Sequence, residues 1–230
     1  MWNRQQVKEQ AKQIMKRNYW KMFVVTLIAS TLTGEKTTII ERVQDFTSNN
    51  LSYDSQPIFY SSNFQYIFYS FISVASILGI LYTIFIGNVI VVGKNGYFIK
   101  NHDENPELSE IFKGFKGNYL NVVKIMFLMD LKTLLWLLLF IIPGFVKAYE
   151  YSMIPYLLAE NPNLSASQAF SLSKQMTTGQ KMDLFVLDLS FLGWIILGLI
   201  CCGIGILFVL PYPEATRAEV YLNLKESVEI

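Results

Sequence analysis

The sequence contains few of the residues from which catalytic and metal sites are usually built. Its 230 residues include one histidine, His102, and two adjacent cysteines, Cys201 and Cys202. Adjacent cysteines close only a strained ring, and no cysteine–histidine spacing fits a zinc site. We find no Gly-x-Ser-x-Gly motif, no phosphate-binding loop and no carboxylate cluster with a histidine. We therefore expect no catalytic residue, no cofactor and no metal ion, and we expect the protein not to be an enzyme.

Charge is also scarce. Charged residues make up 16% of the chain, against about a quarter in a soluble domain, and the net charge is +1. A nucleic-acid-binding protein needs a basic face, so nucleic acid is not an expected partner. Hydrophobic residues make up 52% of the chain and are concentrated in long runs. This composition predicts an all-α, polytopic helical membrane protein, with the lipid bilayer as its principal partner.

The apolar runs set the number of predicted transmembrane helices. A membrane-spanning helix needs about 20 apolar residues. The candidate runs cover 20–33, 66–93, 119–142, 145–160 and 184–212. The last run forms either one long helix or two, with a turn at 202–205 and a second helix reaching about 222. The first interpretation gives five transmembrane helices and the second, which we favour, gives six. The polar segment 35–63 is predicted to be an extracytoplasmic loop with a short helix near 38–46.

Amphipathic helices precede the apolar runs. In the first, residues 4–17, Val7 and Ala11 lie on one face, and basic residues recur every four positions on another. This basic stripe consists of Arg4, Lys8, Lys12 and Lys16. Such a helix suits the anionic lipids of a cytoplasmic leaflet, although an ordinary solvated face has the same pattern. Two further helices are predicted to start near Asn105 and Asn161, and the second of them has a Ser165–Gln168 capping box and a terminal Gly179.

Part of the chain is repeated. Asp130 and Trp136 recur as Asp188 and Trp194, 58 residues later, together with several leucines and phenylalanines. Each unit consists of an amphipathic helix followed by a helical hairpin, over about 105–160 and 161–222. A weaker N-terminal unit covers 4–93 and contains the 35–63 loop, and all units belong to one membrane domain, 1–230. The two clear hairpins enter from the same side and are therefore parallel repeats.

Lysine and arginine are concentrated in the segments 1–21 and 94–118, and they are absent from the two later hairpin turns. Because positively charged loops stay in the cytoplasm, both termini and all the amphipathic helices are predicted to be cytoplasmic. The expected location is a bacterial cell membrane.

Several charged residues fall inside the predicted transmembrane helices. They are Asp130, Lys132, Lys147, Glu150, Asp188, Glu214 and Arg217. Because an ionised carboxylate in hydrocarbon costs about 2.5–3.5 kcal/mol, each should face a partner. Counting residues from the turn at 202–205 places Arg217 opposite Asp188, with Glu214 one turn away from Arg217. Lys147 and Glu150 are expected to pair, and Lys132 is expected to reach the membrane surface or Glu150. This intramembrane polar network is either structural or a relay for protons or substrate.

Two segments of the chain are similar to a known protein family. The first runs from Pro143 to Tyr156, and the second covers 211–219, beginning Pro211-Tyr212-Pro213-Glu214. They resemble the domain-of-unknown-function 975 family of uncharacterised bacterial membrane proteins. That resemblance implies a polytopic membrane protein and no established activity. The family is also distantly similar to the membrane domain attached to some glycerophosphodiester phosphodiesterases, whose soluble catalytic domain we do not find here.

Three functions remain open on this basis. The first is a non-enzymatic scaffold, or a partner subunit of a membrane transport or envelope system, which would have a membrane-protein partner. The second is a small transporter that uses Asp130, Asp188 and Arg217. The third, and the weakest, is a membrane-embedded enzyme acting on lipid.

Overall fold

The computed structural model describes residues 4–33, 62–200 and 204–228. The predicted loop at 35–63, except its last two residues, and cysteines 201 and 202 lie outside these ranges. Within the described residues the chain is helical and has no β-strand, which confirms the all-α class. The helices are α1 (Arg4–Thr33), α2 (Ser62–Tyr82), α3 (Asn88–Lys100), α4 (Tyr119–Leu139), α5 (Ile141–Tyr151), α6 (Ile154–Glu160), α7 (Ala166–Thr177), α8 (Lys181–Ile200), α9 (Ile204–Val209) and α10 (Pro211–Glu226).

Helix α1 combines the first amphipathic helix and the first apolar run. Asn18 departs from helical geometry, with φ −134° and ψ 26°, and kinks the helix where the two predicted segments meet. The Asn18 amide donates a buried hydrogen bond of 2.8 Å to the Asn101 side chain. The kink is therefore fixed to the end of α3.

Helix α3 lies at the centre of the fold because it contributes to both hydrophobic clusters. On one side Tyr97 packs with residues of α1 and α10. On the other side Val89 and Val92 pack with residues of α4 and α6. A π-helical turn, Thr83–Gly87, joins α2 to α3, so that Ser62–Lys100 forms one nearly continuous rod.

A 3₁₀ helix, Leu108–Phe115, crosses α3 at very short range. A Cβ atom added to Gly93 would lie 1.8 Å from the Ile111 carbonyl oxygen, and one added to Gly114 would lie 2.8 Å from the Val89 carbonyl oxygen. Only glycine permits such close contact between backbones. The sequence predicted an α-helix here with a wider apolar face, but among its apolar residues only Ile111 is buried.

The helix boundaries correct two predictions. The break expected at Pro143-Gly144 occurs at Phe140, which is extended, and Pro143 lies in the first turn of α5, where proline is tolerated. The predicted helix 145–160 is divided into α5 and α6. The capping box at Ser165 and the positive φ of Gly179, 78°, are as predicted.

The last apolar run forms a hairpin, as the two-helix interpretation required. A Cβ on Gly198 of α8 would lie 2.8 Å from the Ile206 backbone nitrogen of α9. Helices α8 and α9 are therefore in direct backbone contact, and one long helix through 184–212 is excluded.

Among the described residues one helical segment, Tyr69–Lys100, is long and apolar enough to cross a membrane by length and composition. The six crossings predicted from the sequence do not all meet this criterion. Helices α4 and α8 each carry three charged residues, at positions 124, 130 and 132 and at 181, 183 and 188.

Candidate functional site: a polar cluster between the helices

Most of the charged residues predicted inside the helices form ion pairs. These ion pairs fall into three groups, and each group joins different helices. The Arg217 guanidinium of α10 donates two hydrogen bonds to Asp188 of α8, of 2.7 Å and 3.3 Å. The predicted pairing of these residues is confirmed. Tyr149 of α5 donates a third hydrogen bond of 2.9 Å to the same carboxylate. Asp188 therefore joins three helices.

Glu150 is the most enclosed of these carboxylates. Its side chain is 6% exposed and lies between Lys147, at 2.7 Å, and Lys181, at 2.6 Å. The Lys147 contact was predicted, whereas Lys181 was not. The Glu150 carbonyl also accepts a hydrogen bond of 2.7 Å from Ser173 of α7. Glu150 consequently joins α5, α7 and α8.

Glu214 does not pair with Arg217, which the sequence had suggested. It forms an ion pair of 2.8 Å with Lys94 of α3, whose side chain is 5% exposed. Lys94 had been assigned to a loop, because it follows the apolar run directly. Helix α3 in fact continues to Lys100, and this brings Lys94 into the bundle.

Asp130 and Lys132 have neutral partners. The Asn88 amide donates a hydrogen bond of 2.8 Å to Asp130, directly after the π-helical turn. Lys132 does not contact Glu150; its ammonium lies 3.7 Å from the centre of the Phe170 ring of α7. The Glu150 carboxylate is instead enclosed by Lys147 and Lys181.

The two repeated acidic residues thus have different surroundings. The leucines that follow them in each unit are exposed and do not form an interface between the units. Leu131 and Leu134 are 38% and 54% exposed, and their counterparts Leu189 and Leu192 are 50% and 44% exposed. In both units, therefore, these leucines belong to an exposed apolar surface, and the repeated aspartate directly precedes the first of them.

A central cavity of about 470 Å³ lies beside these pairs. Asp130 of α4, Glu214 and Arg217 of α10, and Lys94 of α3 all line it, together with residues of α5 and α6. Lys147, Glu150 and Asp188 do not line it. Its volume lies within the range of small-molecule sites, roughly 300–1,000 Å³. The cavity brings both signs of charge to one place between five helices.

A further ionic cluster lies outside the cavity and joins the 3₁₀ helix to the end of α3. Glu110 contacts Lys113 of its own helix and lies 3.1 Å from Lys100. Burial alone raises the pKa of Glu110, but the hydrogen bonds and charges of the two lysines outweigh it, so the pKa lies below its usual value. Glu110 stays ionised near neutral pH.

The N-terminal basic stripe lies partly against the protein. Val7 and Ala11, on the apolar face of α1, are buried in the protein core. The Lys8 ammonium donates a hydrogen bond of 2.7 Å to Ser190, and Lys12 pairs with Glu9 at 2.9 Å. Arg4 and Lys16 are exposed.

A model of a protein family described as "Protein of unknown function (DUF975)" matches residues 137–228. Both residues of the Asp188–Arg217 ion pair lie in the matched segment. The segment also contains Lys147, Glu150, Lys181 and Glu214. No curated protein and no solved structure shows a significant match to the chain.

Proposed function

We propose that the chain, whose residues 137–228 match the DUF975 family of unknown function, is a multi-pass membrane protein acting as a non-enzymatic scaffold or partner subunit. In this proposal six helical segments cross a bacterial cell membrane as three antiparallel pairs: α1 with α2–α3, α4 with α5–α6, and α8 with α9–α10. Both termini lie in the cytoplasm. The proposed partner is another membrane protein of a transport or envelope system.

The outer surface supports the membrane location. Large apolar side chains are exposed along α2, at the α4–α5 junction and along α8, including Phe71, Ile142 and Leu197 at 72%, 78% and 56% exposure. Soluble proteins rarely expose apolar surface of this extent. Charges in α4 and α8 do not exclude membrane crossing, because Asp130 and Asp188 have hydrogen-bonding partners on neighbouring helices.

The scaffold role rests on one observation: three carboxylates of the helix bundle form ion pairs with lysine or arginine residues of other helices. Glu214 is held by Lys94, Asp188 by Arg217, and Glu150 by Lys181. A transport site has to change its charge or its partners during each cycle. Fully matched pairs instead fix the helices in one arrangement, which suits a protein that holds a partner in place.

A small transporter is the second candidate, and the central cavity favours it. Asp130 lines this cavity and is bound by a neutral amide, so that its charge is not cancelled by that partner. The adjacent π-helical turn, Thr83–Gly87, is a feature often found at functional sites. A lipid-acting membrane enzyme remains the weakest candidate, because no catalytic constellation supports it.

The native cysteines test the six-helix topology. Cys201 and Cys202 are the only cysteines and lie between α8 and α9. We expect a membrane-impermeant maleimide to label them in intact cells whose outer envelope is permeable to the reagent. A cysteine-free variant with Ser52→Cys should also be labelled, and the same variant with Ser227→Cys should be labelled only after lysis. Protection of Cys201 and Cys202 in intact cells would show that the α8–α9 hairpin does not cross.

The Asp188–Arg217 pair tests the scaffold interpretation. We expect Asp188→Asn and Arg217→Gln each to lower the stability of the purified protein in detergent by about 2 kcal/mol, because each leaves a partner unpaired in a largely apolar setting. The double variant should cost less than the sum. Thermal unfolding measures both effects.

Asp183→Asn is the matched control, because it removes a carboxylate from the first turn of the same helix. Its expected cost is below about 1 kcal/mol. If the two pair variants are as stable as wild type, while they and Asp130→Asn abolish a phenotype that requires the protein, the scaffold interpretation is wrong. The transporter candidate would then be favoured.

A further inference from the structure

A second groove, which shares no lining residue with the cavity, lies between α1 and the helices α8, α9 and α10. The α1 groove, as we call it, has a volume of about 470 Å³. It is lined by Lys12, Met15, Lys16, Tyr19, Trp194, Phe208, Val209 and Tyr212. Two lysines are the charged members of this set. The remaining members are apolar or aromatic.

Hydrogen bonds at each end of the groove hold α1 in place across the hairpin. Lys8 donates to Ser190 of α8, and the Tyr19 hydroxyl donates to the Phe208 carbonyl of α9 at 3.0 Å. The kink at Asn18 lies between these two contacts. The groove is therefore a fixed feature of the fold.

The lining defines the chemistry of an occupant. Trp194, Phe208 and Met15 require an apolar body, and Lys12 and Lys16 require an anionic group at one end. Glu9 pairs with Lys12 at 2.9 Å, but an ammonium has three donors, so Lys12 keeps two for another acceptor. From this combination we infer that the α1 groove binds one anionic phospholipid. One of its two acyl chains lies along the aromatic side chains of the groove, and its phosphate lies between Lys12 and Lys16.

A phospholipid is the occupant because of where the groove opens. Trp194 of α8 lines the groove and is 52% exposed, on a helix whose exposed apolar residues, including Leu192 and Leu197, contact the bilayer in the proposed function. Tyr19 and Tyr212 line the groove together with the lysines, and Trp20 packs edge-on against Tyr19. Aromatic residues of this kind prefer the level of lipid headgroups. The inference rests on the proposed membrane location, because a lipid reaches the groove along the membrane.

The structure also changes the role of the basic stripe. A helix that binds a leaflet nonspecifically inserts its apolar face into the lipid. Here Val7 and Ala11 are 1% and 0% exposed within the protein, so that this face is not available. The basic side chains instead stand beside a defined apolar groove. Selectivity for a net negative headgroup follows, since a zwitterionic lipid offers the lysines less attraction.

Native mass spectrometry of the full-length protein in detergent tests this site. Phosphatidylglycerol and phosphatidylcholine are added in turn, and the bound fraction is measured. We expect the wild type to bind phosphatidylglycerol about tenfold more tightly. Lys12→Gln with Lys16→Gln should remove this preference, a change of about 1.4 kcal/mol. Met15→Trp, which fills the groove and keeps both lysines, should weaken the binding of both lipids.

The matched control removes the same charge elsewhere. Lys116 and Lys174 are exposed, and neither lines the α1 groove. Their double change to glutamine should alter the affinity for phosphatidylglycerol by less than about twofold, since no groove is affected. Equal losses in both double variants, an unchanged Met15→Trp protein, or equal wild-type binding of the two lipids would each overturn the lipid site.

The two proposals fail in different ways. If alkaline carbonate extracts the protein from membranes, the proposed membrane location is wrong, and the lipid site is wrong with it. If the protein resists extraction but its lipid binding is insensitive to Lys12, Lys16 and Met15, only the lipid site is wrong. Stabilisation by inorganic phosphate as strong as that by phosphatidylglycerol would also contradict a lipid occupant.

Discussion

Replacing Gly93 by alanine is expected to lower the free energy of unfolding by about 3 kcal/mol, at the upper end of the usual cost of overpacking. The new Cβ would lie 1.8 Å from the Ile111 carbonyl oxygen and 2.6 Å from its carbonyl carbon. These are backbone atoms, so no side chain can rotate away. Ile111 is itself 0% exposed, so that the 3₁₀ helix cannot move out without leaving its own pocket.

The effect should appear in thermal unfolding in detergent. For a chain of this size about 3 kcal/mol corresponds to a fall in the unfolding temperature of roughly 10 °C. Helix α3 contributes to both hydrophobic clusters. If one cluster unfolds before the other in the variant, unfolding is no longer two-state and the thermal transition should be broader. Retention of the wild-type unfolding temperature would contradict the close crossing of α3 and the 3₁₀ helix.

Gly79→Ala is the matched control. It lies in α2, and a Cβ there would meet no atom within 4 Å. Because alanine favours a helix over glycine by about 0.5–1 kcal/mol, this variant should be as stable as the wild type or slightly more stable. If the two alanine variants unfold at the same temperature, then close packing does not constrain Gly93, and helix propensity alone determines the effect of both substitutions.

The contrast between these glycines also shows where sequence reasoning stops. Gly79 lies in a long apolar run, where a glycine can permit a close helix contact, yet a Cβ there would meet no atom within 4 Å. Gly93 stands at the end of the same run and carried no such signal. The close contact depends on a carbonyl 18 positions away in the chain, and no local pattern specifies that.

Local features were predicted well because their causes are local. The boundary between the amphipathic segment and the apolar run was predicted from the change of pattern, and the structure has its kink there, at Asn18. The Ser165 capping box depends on residues three apart. The Asp188–Arg217 pair was predictable because both residues belong to one hairpin, in which depth can be counted from the turn. The partners of Asp130 and Glu214 come from α3, and hairpin geometry gives no information about a third element.

Glu150→Gln is expected to be the most destabilising change of a single charge, at about 3 kcal/mol. The carboxylate is 6% exposed and lies within 2.7 Å of two lysines. The amide keeps the size of the side chain and removes its charge, so that Lys147 and Lys181 face each other without a counter-ion. Chemical or thermal unfolding of the purified variant measures the loss.

A comparison with Glu160→Gln separates burial from charge. Glu160 pairs with Lys225 at 2.7 Å, but both side chains are about one-third exposed, at 30% and 31%. The expected cost there is below about 1 kcal/mol, as for other surface ion pairs. If Glu150→Gln costs no more than Glu160→Gln, then Glu150 is not the centre of a buried charge cluster.

The double variant Glu150→Gln/Lys181→Gln identifies the origin of the penalty. If repulsion between the two unpaired lysines causes it, removing one lysine should restore about half of the lost stability. The hydrogen bond from Ser173 to the Glu150 backbone carbonyl, 2.7 Å, is unchanged in every variant, so α7 should stay in place. An additive loss in the double variant would instead mean that Lys181 stabilises α8 independently of Glu150, and that α5 and α8 are joined mainly through Tyr149 and Asp188.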